Sequence, residues 1–427
     1  MAAYLSCPGI GNKILYKRGM KQALESVKVL DFSQLLQGPF ASQMLGDLGA
    51  DIIKVERIGE GDIYRSMTFF NQWIAGNESP CFMAWNRNKR SIAIDMKKEE
   101  GKKILNAVAK TTDIVLENFR PGVMERLGFG YEDLKKINPR IIYCSASGWG
   151  NDGPYLKRPG QDLLVQSVSG AVMTSGKKSD GPVALGTALC DQVNAFNCVY
   201  AILAALYYRE KTGIGQCIQT NLLSSAIAFQ MQDFFAIQNL EIHFERPESG
   251  IAHPGNPAPF GTYKTADGWL AIAMNPFDKL VQALGDDSLL KYNDPQILFD
   301  QRDSIFYLIE GITKTKTTAE WLDIMLGLDL WVSGVNNQPE VPSDPQVIHN
   351  KTFIEIEHPK AGKISVTNIP FSMSETPGQI SRPSPLIGQH GPEILRELGF
   401  SETEIQNLIR DRIISVEELP KKKEVSF

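Results

Sequence analysis

Through its first half this chain alternates short apolar, β-branched runs with stretches in which apolar side chains recur at helical spacing. Val27 to Phe32 predicts a strand. After Gly38 and Pro39, Phe40 to Leu45 falls on a helical period, with Pro39 in the first turn, where its missing N–H leaves no bond unmade. Gly49 ends that helix, and Ile52 to Val55 predicts the next strand. The pattern continues with strands at Ser91 to Ile94, Asp113 to Leu116 and Ile141 to Ser145, and helices at Glu99 to Val108 and Tyr131 to Ile137. Strand, helix and strand in such short spans imply parallel βαβ units with right-handed connections, hence an α/β, doubly wound, Rossmann-like domain.

Asp191 to Glu210 predicts a long helix, stopped by Lys211 to Gly215; Gln216 to Gln219 follows as a strand, and Leu222 to Asn239 as one further helix. Residues 250–262 carry Gly250, Pro254, Gly255, Pro257, Pro259 and Gly261, a loop and a domain boundary. A smaller unit begins with a strand at Gly268 to Ala273, then helices near 277–285, 302–311 and 317–326. A second Pro/Gly-rich stretch covers 372–392. Helices follow near 391–398 and 402–409, the last opened by a Ser401/Glu404 capping box. Lys421 to Glu424 reads as a solvated tail.

Composition narrows the field. The 427 residues are 43% hydrophobic, enough for two domains with large cores. Balanced charge, 44 basic against 49 acidic residues, gives no reason to expect nucleic acid. Cys7, Cys81, Cys144, Cys190, Cys198 and Cys217 form no C-x-x-C pair, so buried, reduced thiols in a cytoplasmic protein are expected. No signal peptide is evident, and the most apolar run, Val199 to Tyr208, is half a bilayer span, so no membrane partner is expected.

The candidate chemistry clusters where predicted strands end. Gly38 and Pro39 sit at a strand-to-helix junction, where a helix N-terminus can meet a phosphate or where a glycine simply permits packing. No G-x-G-x-x-G follows Val27 to Phe32, which argues against an NAD domain. Asn86 to Ser91 is a basic knot, followed by Lys97, Lys98, Lys102 and Lys103; it reads either as a phosphate receiver or as a solvated face. Glu117 to Gly122 and Ser145 to Pro154 follow strands, at the edge where open α/β sheets bind ligands; Asn118 and Arg120 are polar contacts there or turn formers. Trp149 is placed to cover a planar or apolar group, as are Phe260 and Met173, unless they are core.

Asp162, in Arg158-Pro-Gly-Gln-Asp162, has two readings. It is an N-cap for a helix from Leu163 onward, or a carboxylate that attacks an acyl-CoA carbonyl and forms a mixed anhydride. Backbone N–H groups near Gly170 and Gly255 to Gly261 would then steady the oxyanion. The five histidines, His243, His253, His349, His358 and His390, all lie beyond residue 242 and form no H-E-x-x-H. No G-x-S-x-G elbow is present. A metal hydrolase and a Ser–His triad are therefore disfavoured, and no metal is expected. His253, in the Pro/Gly loop, is the best pocket histidine.

Taken together and in order, these segments resemble the class III CoA-transferase family, also called CaiB/BaiF. The matching pieces are Val29 to Phe32 with Gln37-Gly-Pro39, Leu48 to Glu56, Asn86 to Arg90, Glu117 to Val123, Gly148 to Pro154 and Gly160-Gln-Asp162. Arg209 to Gln216, Asn256 to Phe260, Asp267 to Trp269 and Pro385 to His390 follow, and the resemblance spans about residues 25–410. It implies a large CoA-binding domain in two pieces (1–225, and 336–427 with the C-terminal helices) around a linker and smaller α+β domain (226–335). It further implies an interlocked, ring-like homodimer and two substrates, an acyl-CoA donor and a small carboxylic acid acceptor. The family nucleophile maps by resemblance to Asp162, and Gln37, Gly38, Pro39, Glu56, Arg57, Arg87, Lys89, Arg90, Asn118 and Arg120 would surround CoA. The family also contains 2-methylacyl-CoA racemases, which commonly show His-Asp where this chain has Gln161-Asp162; Gln161 cannot serve as an acid/base group. A catalytically inactive acyl-CoA-binding protein is the remaining alternative. Gly255 to Gly261 lacks the dense glycine loop of formyl-CoA:oxalate transferases.

Overall fold

The structure is a computed structural model that describes residues 22–242 and 244–417; His243, Cys7 and the Lys421 tail fall outside them. Six parallel strands form its principal sheet: β1 (Lys28–Asp31), β2 (Asp51–Glu56), β3 (Lys89–Ile94), β4 (Ile114–Glu117), β5 (Ile142–Ser147) and β6 (Cys217–Asn221). Their spatial order is β3-β2-β1-β4-β5-β6, so the winding direction reverses between β1 and β4. That reversal opens a crevice at the strands' carboxyl ends, where doubly wound sheets bind ligands. The C-terminal chain returns to this sheet: Ile414–Ser415 pairs antiparallel with β3 and closes that edge.

Strand residues point alternately to two covered faces, which is why the strands read as nearly unbroken apolar runs. Leu30, Ile53, Val55, Ile92, Val115 and Tyr143 pack under the helices Glu99–Ala109, Tyr131–Ile137, Gly391–Glu397 and Glu402–Arg410. Val29, Ile52, Ile114, Leu116, Cys144 and Ala146 pack under α1 (Gln37–Asp47) and, after a short helix α2 (Asp162–Val168), under α3 (Leu189–Thr212). The Ser401/Glu404 capping box is formed.

A second, smaller core gathers Tyr263, Leu270, Phe277, Leu280, Ile305, Phe306 and Trp321 around an antiparallel sheet of β7 (Gly261–Lys264), β8 (Trp269–Ile272) and β9 (Val332–Gly334). Three features depart from the expected pattern. The helix expected over Leu222 to Asn239 is two, Leu222–Phe229 and Met231–Asn239. They part at Gln230, whose Nε2 donates to the carbonyls of Ala226 (3.0 Å) and Ser169 (3.3 Å) and so competes for the helix's own acceptors. The hairpin of β10 (Phe353–His358) and β11 (Gly362–Thr367) has no counterpart among the expected elements. The loop of residues 250–262 ends within β7 rather than before it.

Candidate active site

Asp162 is the first residue of α2, preceded by extended Gln161. It does not cap its own helix. Its carboxylate reaches the first turn of α3, where Oδ1 accepts the backbone N–H of Cys190 (2.7 Å) and of Asp191 (3.2 Å). Oδ2 accepts a hydrogen bond from Gln166 Nε2. The expected capping role is thus real but belongs to a different helix. The donor N–H groups and the positive end of α3 favour this anion.

The approach depends on two glycines. Gly148 and Gly160 meet face to face; a Cβ on Gly148 would lie 2.6 Å from the Cα of Gly160. This contact folds residues 149–161 back onto the carboxyl end of β5 and delivers Asp162 to α3. Trp149 braces the loop, donating from Nε1 to the Pro159 carbonyl (3.1 Å) and meeting Tyr155 edge-on. It belongs to the loop's own packing rather than to an open ligand surface.

Asp191, one residue beyond Cys190 in α3, contrasts with Asp162. It is half-buried, and its carboxylate accepts no hydrogen bond and makes no ion pair among the described residues. Burial, and then the negative charge of Asp162, raise its pKa to about 7. A desolvated carboxylate without donors keeps its lone pairs free and its basicity high, the properties of an activated nucleophile. The oxygens of Asp162 already hold three donors. Of the two carboxylates, Asp191 is therefore the one whose oxygens are open to a reacting group. From sequence, Asp191 is only the start of a helix; the signal it offers is a carboxylate in the first turn of the longest apolar helix. Burial and the two aspartates push the neighbouring Cys190 thiol up to about 12, so it stays protonated.

The other anticipated residues divide into three groups. Gln37, Gly38, Pro39 and Asn118 gather at the crevice. Gln37 is buried and ties α1 to the rest, Nε2 donating to Ala146 O (3.2 Å) and Oε1 accepting from Asn194 of α3 (2.5 Å). A side chain at Gly38 would strike Ser33, with Cβ to Cβ at 2.2 Å, so this glycine is a packing glycine. The Pro39 carbonyl accepts from Lys89 (2.8 Å). Asn118 exchanges two hydrogen bonds with the Gln34 backbone (2.8 and 2.7 Å), stitching the β1 and β4 loops together.

The second group is committed elsewhere. The basic knot is neither a solvated face nor a free phosphate receiver, because it is buried and its charges are matched. Arg87 forks onto Asp47 (2.7 Å), Lys89 meets Asp31 (3.3 Å), and Arg90 pairs with Asp51, Glu393 and Glu397. Arg90 and its partner Asp51 lie toward the amino ends of β3 and β2, away from the crevice. Burial lowers the pKa of Lys89 to about 7 despite Asp31. Glu56 is held by Arg65 (2.7 Å) and Ser91 (2.6 Å); burial works to raise its pKa, but these partners hold it at about 2.

Arg57 and Arg120 remain exposed. Arg57 borders a cavity of about 560 Å³ with Gly59, Gly61, Arg65, Ser79 and Phe82. Arg120 rims a cavity of about 260 Å³ with Ser145, Asn151, Gln219 and Glu117, whose carboxyl burial pushes up to about 7. His253 is outside this assembly: its Nε2 meets Asp233 (2.7 Å) and its Nδ1 accepts from Gly255 N–H (3.0 Å). No group of three or more His, Cys, Asp or Glu able to hold a metal occurs among the described residues.

The doubly wound sheet, with Asp162 and Asp191 meeting at the start of α3, is an α/β frame of the kind that binds ligands at its carboxyl edge. The comparisons specify the family. Residues 24–391 match the model of CoA-transferase family III, and the chain belongs to that family. Succinyl-CoA:glutarate CoA-transferase of Homo sapiens is 36% identical over 92% of this chain and 90% of its own length. Formyl-CoA:oxalate CoA-transferase of Rhodopseudomonas palustris (strain BisA53) is 32% identical over 91% and 96%. The crystal structure of a CAIB/BAIF family protein from Brucella suis superposes with a TM-score of 0.78 at 31% identity, covering 88% of this chain and all of that one. The chain is accordingly an enzyme of the CoA-transferase class.

Proposed function

We propose that this enzyme moves CoA from an acyl-CoA thioester to a free carboxylic acid, with Asp191 as the nucleophile and Asp162 as the residue that positions it. The observation that carries this reading is the pairing of a saturated carboxylate with an unpartnered, desolvated one at the same helix start. An Asp191 oxygen attacks the thioester carbon, the carbonyl electrons move onto oxygen, and collapse expels CoA thiolate, leaving a mixed anhydride. The thiolate then attacks the aspartyl carbonyl, releasing the donor acid and forming an aspartyl-CoA thioester. The acceptor carboxylate attacks that thioester to give a second anhydride and thiolate. The thiolate finally takes the acceptor acyl group and restores the Asp191 carboxylate. Every step is a carbonyl substitution, so electrons and protons balance without water or redox chemistry.

Arg57 and Arg120 are the exposed cations of the anticipated set and the best candidates for the CoA phosphates, since both border cavities. Gln37, Gly38, Pro39 and Asn118 support the crevice beneath. Gln161 beside Asp162 supplies no second acid/base group, which disfavours the racemase. The names of the relatives make succinyl-CoA with glutarate the first pair to assay, within a wider panel of dicarboxylic and aryl acids. A homodimer fits the exposed apolar side chains of α3 and the helices after it, including Phe196, Tyr200, Met231 and Phe235, a surface a lone soluble chain does not ordinarily leave open. The unbridged Cys81, Cys144, Cys190, Cys198 and Cys217 suit a reducing, cytoplasmic setting.

The test is an acyl-CoA and acid panel read by mass spectrometry, with hydroxylamine added to trap the activated carboxyl. The hydroxamate is expected on the peptide carrying Asp191, and Asp191→Asn is expected to lose at least about a thousandfold in kcat while remaining folded. A hydroxamate on Asp162, or Asp191→Asn activity within about tenfold of the native enzyme, would return the nucleophile to Asp162.

A further inference from the structure

The inner face of α3 is a mainly apolar stripe with an amide set into it. Cys190, Ala195, Cys198, Ile202 and Ala205 are buried there, and so is Asn194, at 0% exposure. An amide in such a place costs its desolvation unless its groups are bonded, and a hydrophobic side chain would fill the space without that cost. Asn194 is bonded at both ends. Its Nδ2 donates to Gln37 Oε1 (2.5 Å), and its Oδ1 accepts from Ser225 Oγ (2.9 Å). Ser225 Oγ in turn accepts from Asn197 Nδ2 (2.7 Å), and Gln37 Nε2 donates to the Ala146 carbonyl (3.2 Å). The donors all run one way, from Asn197 through Ser225, Asn194 and Gln37 to the carboxyl end of β5, so each bond polarises the next. The relay joins the helix Leu222–Phe229, α3, α1 and β5.

Apolar packing presses a helix onto a sheet but resists sliding and rotation only weakly, whereas hydrogen bonds are directional and fix both. Asn194 lies three residues beyond Asp191 in α3, so the two side chains are neighbours on the helix surface. Asp162 grips the same stretch through the N–H groups of Cys190 (2.7 Å) and Asp191 (3.2 Å). The segment 190–194 is therefore fastened at both ends, by its backbone at the start and by a buried side chain one turn on, and Asp191 stands within it.

We infer that Asn194 is a positioning residue for the acyl transfer: tied to β5 through Gln37 and backed by Ser225, it holds the first turns of α3 at the rotation and height that present the Asp191 carboxylate to the thioester carbon. This rests on the Asp191 reading above. Asn194 exchanges no proton and touches no reacting atom. It acts through geometry, because displacing a nucleophile by about 1 Å costs on the order of 100-fold in rate. Gln37, anticipated as a neighbour of CoA, serves the site from behind as the link between Asn194 and the sheet.

The experiment is hydroxylamine trapping and steady-state kinetics with succinyl-CoA and glutarate, using full-length Asn194→Leu, which keeps the branched shape but removes the amide, and Ser225→Ala, which removes one link. The plateau of hydroxamate counts competent sites, and its rate of formation reports how well Asp191 is placed. For Asn194→Leu the expected result is a rate and a kcat per competent site about 100-fold lower, with KM for succinyl-CoA within about threefold. For Ser225→Ala the expected rate is about tenfold lower, and this variant decides the matter if Asn194→Leu does not fold. A rate per competent site within about twofold of the native value, with any loss confined to the plateau or to KM, would overturn the positioning role and leave Asn194 as a support of the fold alone. If the hydroxamate of the native enzyme lies on a residue other than Asp191, the Asp191 reading fails instead, and the labelled peptide tells the two failures apart.

Discussion

Asp162 accepts the backbone N–H of Asp191 (3.2 Å), and the two carboxylates differ in what surrounds their oxygens. One holds two backbone N–H groups and an amide; the other holds none. Two carboxylates in unlike environments take unlike roles, a pattern common to acid/base and nucleophilic sites. A pH prediction follows at this scale. Asp191 must be ionised to attack, and its pKa is raised to about 7, so kcat/KM for acyl-CoA should rise with pH along a one-proton limb centred near 7. Burial is the larger cause and survives substitution elsewhere, while the Asp162 charge is the second. Asp162→Asn removes the second, so the limb should move to lower pH without disappearing. A pH–rate profile of both enzymes checks this; an unmoved limb would show that Asp162 does not act on Asp191 electrostatically. Sequence alone marked Asp162 because its motif is recognisable, and passed over Asp191 because nothing local distinguishes a reactive carboxylate from a helix-starting one.

At the scale of elements, the proposed chemistry depends on where α2 and α3 begin. The Gly148–Gly160 contact brings the first to the second, and Gln37 with Asn194 holds α3 to α1. Gly148→Ala would force the 149–161 loop away by the space of a methyl group. Expected are a stability loss of about 1–3 kcal/mol in denaturant unfolding and a kcat more than tenfold lower, as Asp162 leaves the amides of α3. Full activity in a destabilised variant would show that the loop supports the fold but not the site. The strands and most helices of the parallel sheet were legible because their apolar periods are long and their turn residues regular. The break at Gln230 and the fate of the basic knot were not legible. Both depend on partners far away in sequence: Ser169 for Gln230, and Asp47, Glu393 and Glu397 for the arginines.

At the scale of the whole molecule, the described chain leaves a band of aromatic and aliphatic side chains uncovered, with Tyr200 at 65% and Phe235 at 69% exposure. Helix α3 is long and apolar enough to cross a membrane by composition alone, yet its inner face, with Ala195, Cys198 and Ile202, packs on the sheet. A second copy of the chain is the proposed cover for its outer face. Light scattering should therefore give twice the 47.4 kDa chain mass, and a Tyr200→Asp, Phe235→Asp double variant should weaken that assembly and lower activity with it. A monomer with full turnover would refute the proposed dimer.

Local periodicity and turn chemistry were enough to determine the α/β class and the succession of strands and helices, because those follow from short-range sterics and from which residues avoid water; the family was legible only as a resemblance carried by motifs in order along the chain. Which carboxylate is free to react was decided only by tertiary structure. Desolvation and hydrogen-bond occupancy are properties of what the fold brings alongside a residue, and Cys190 and Asp191 come alongside Asp162 only once the sheet and α3 are in place.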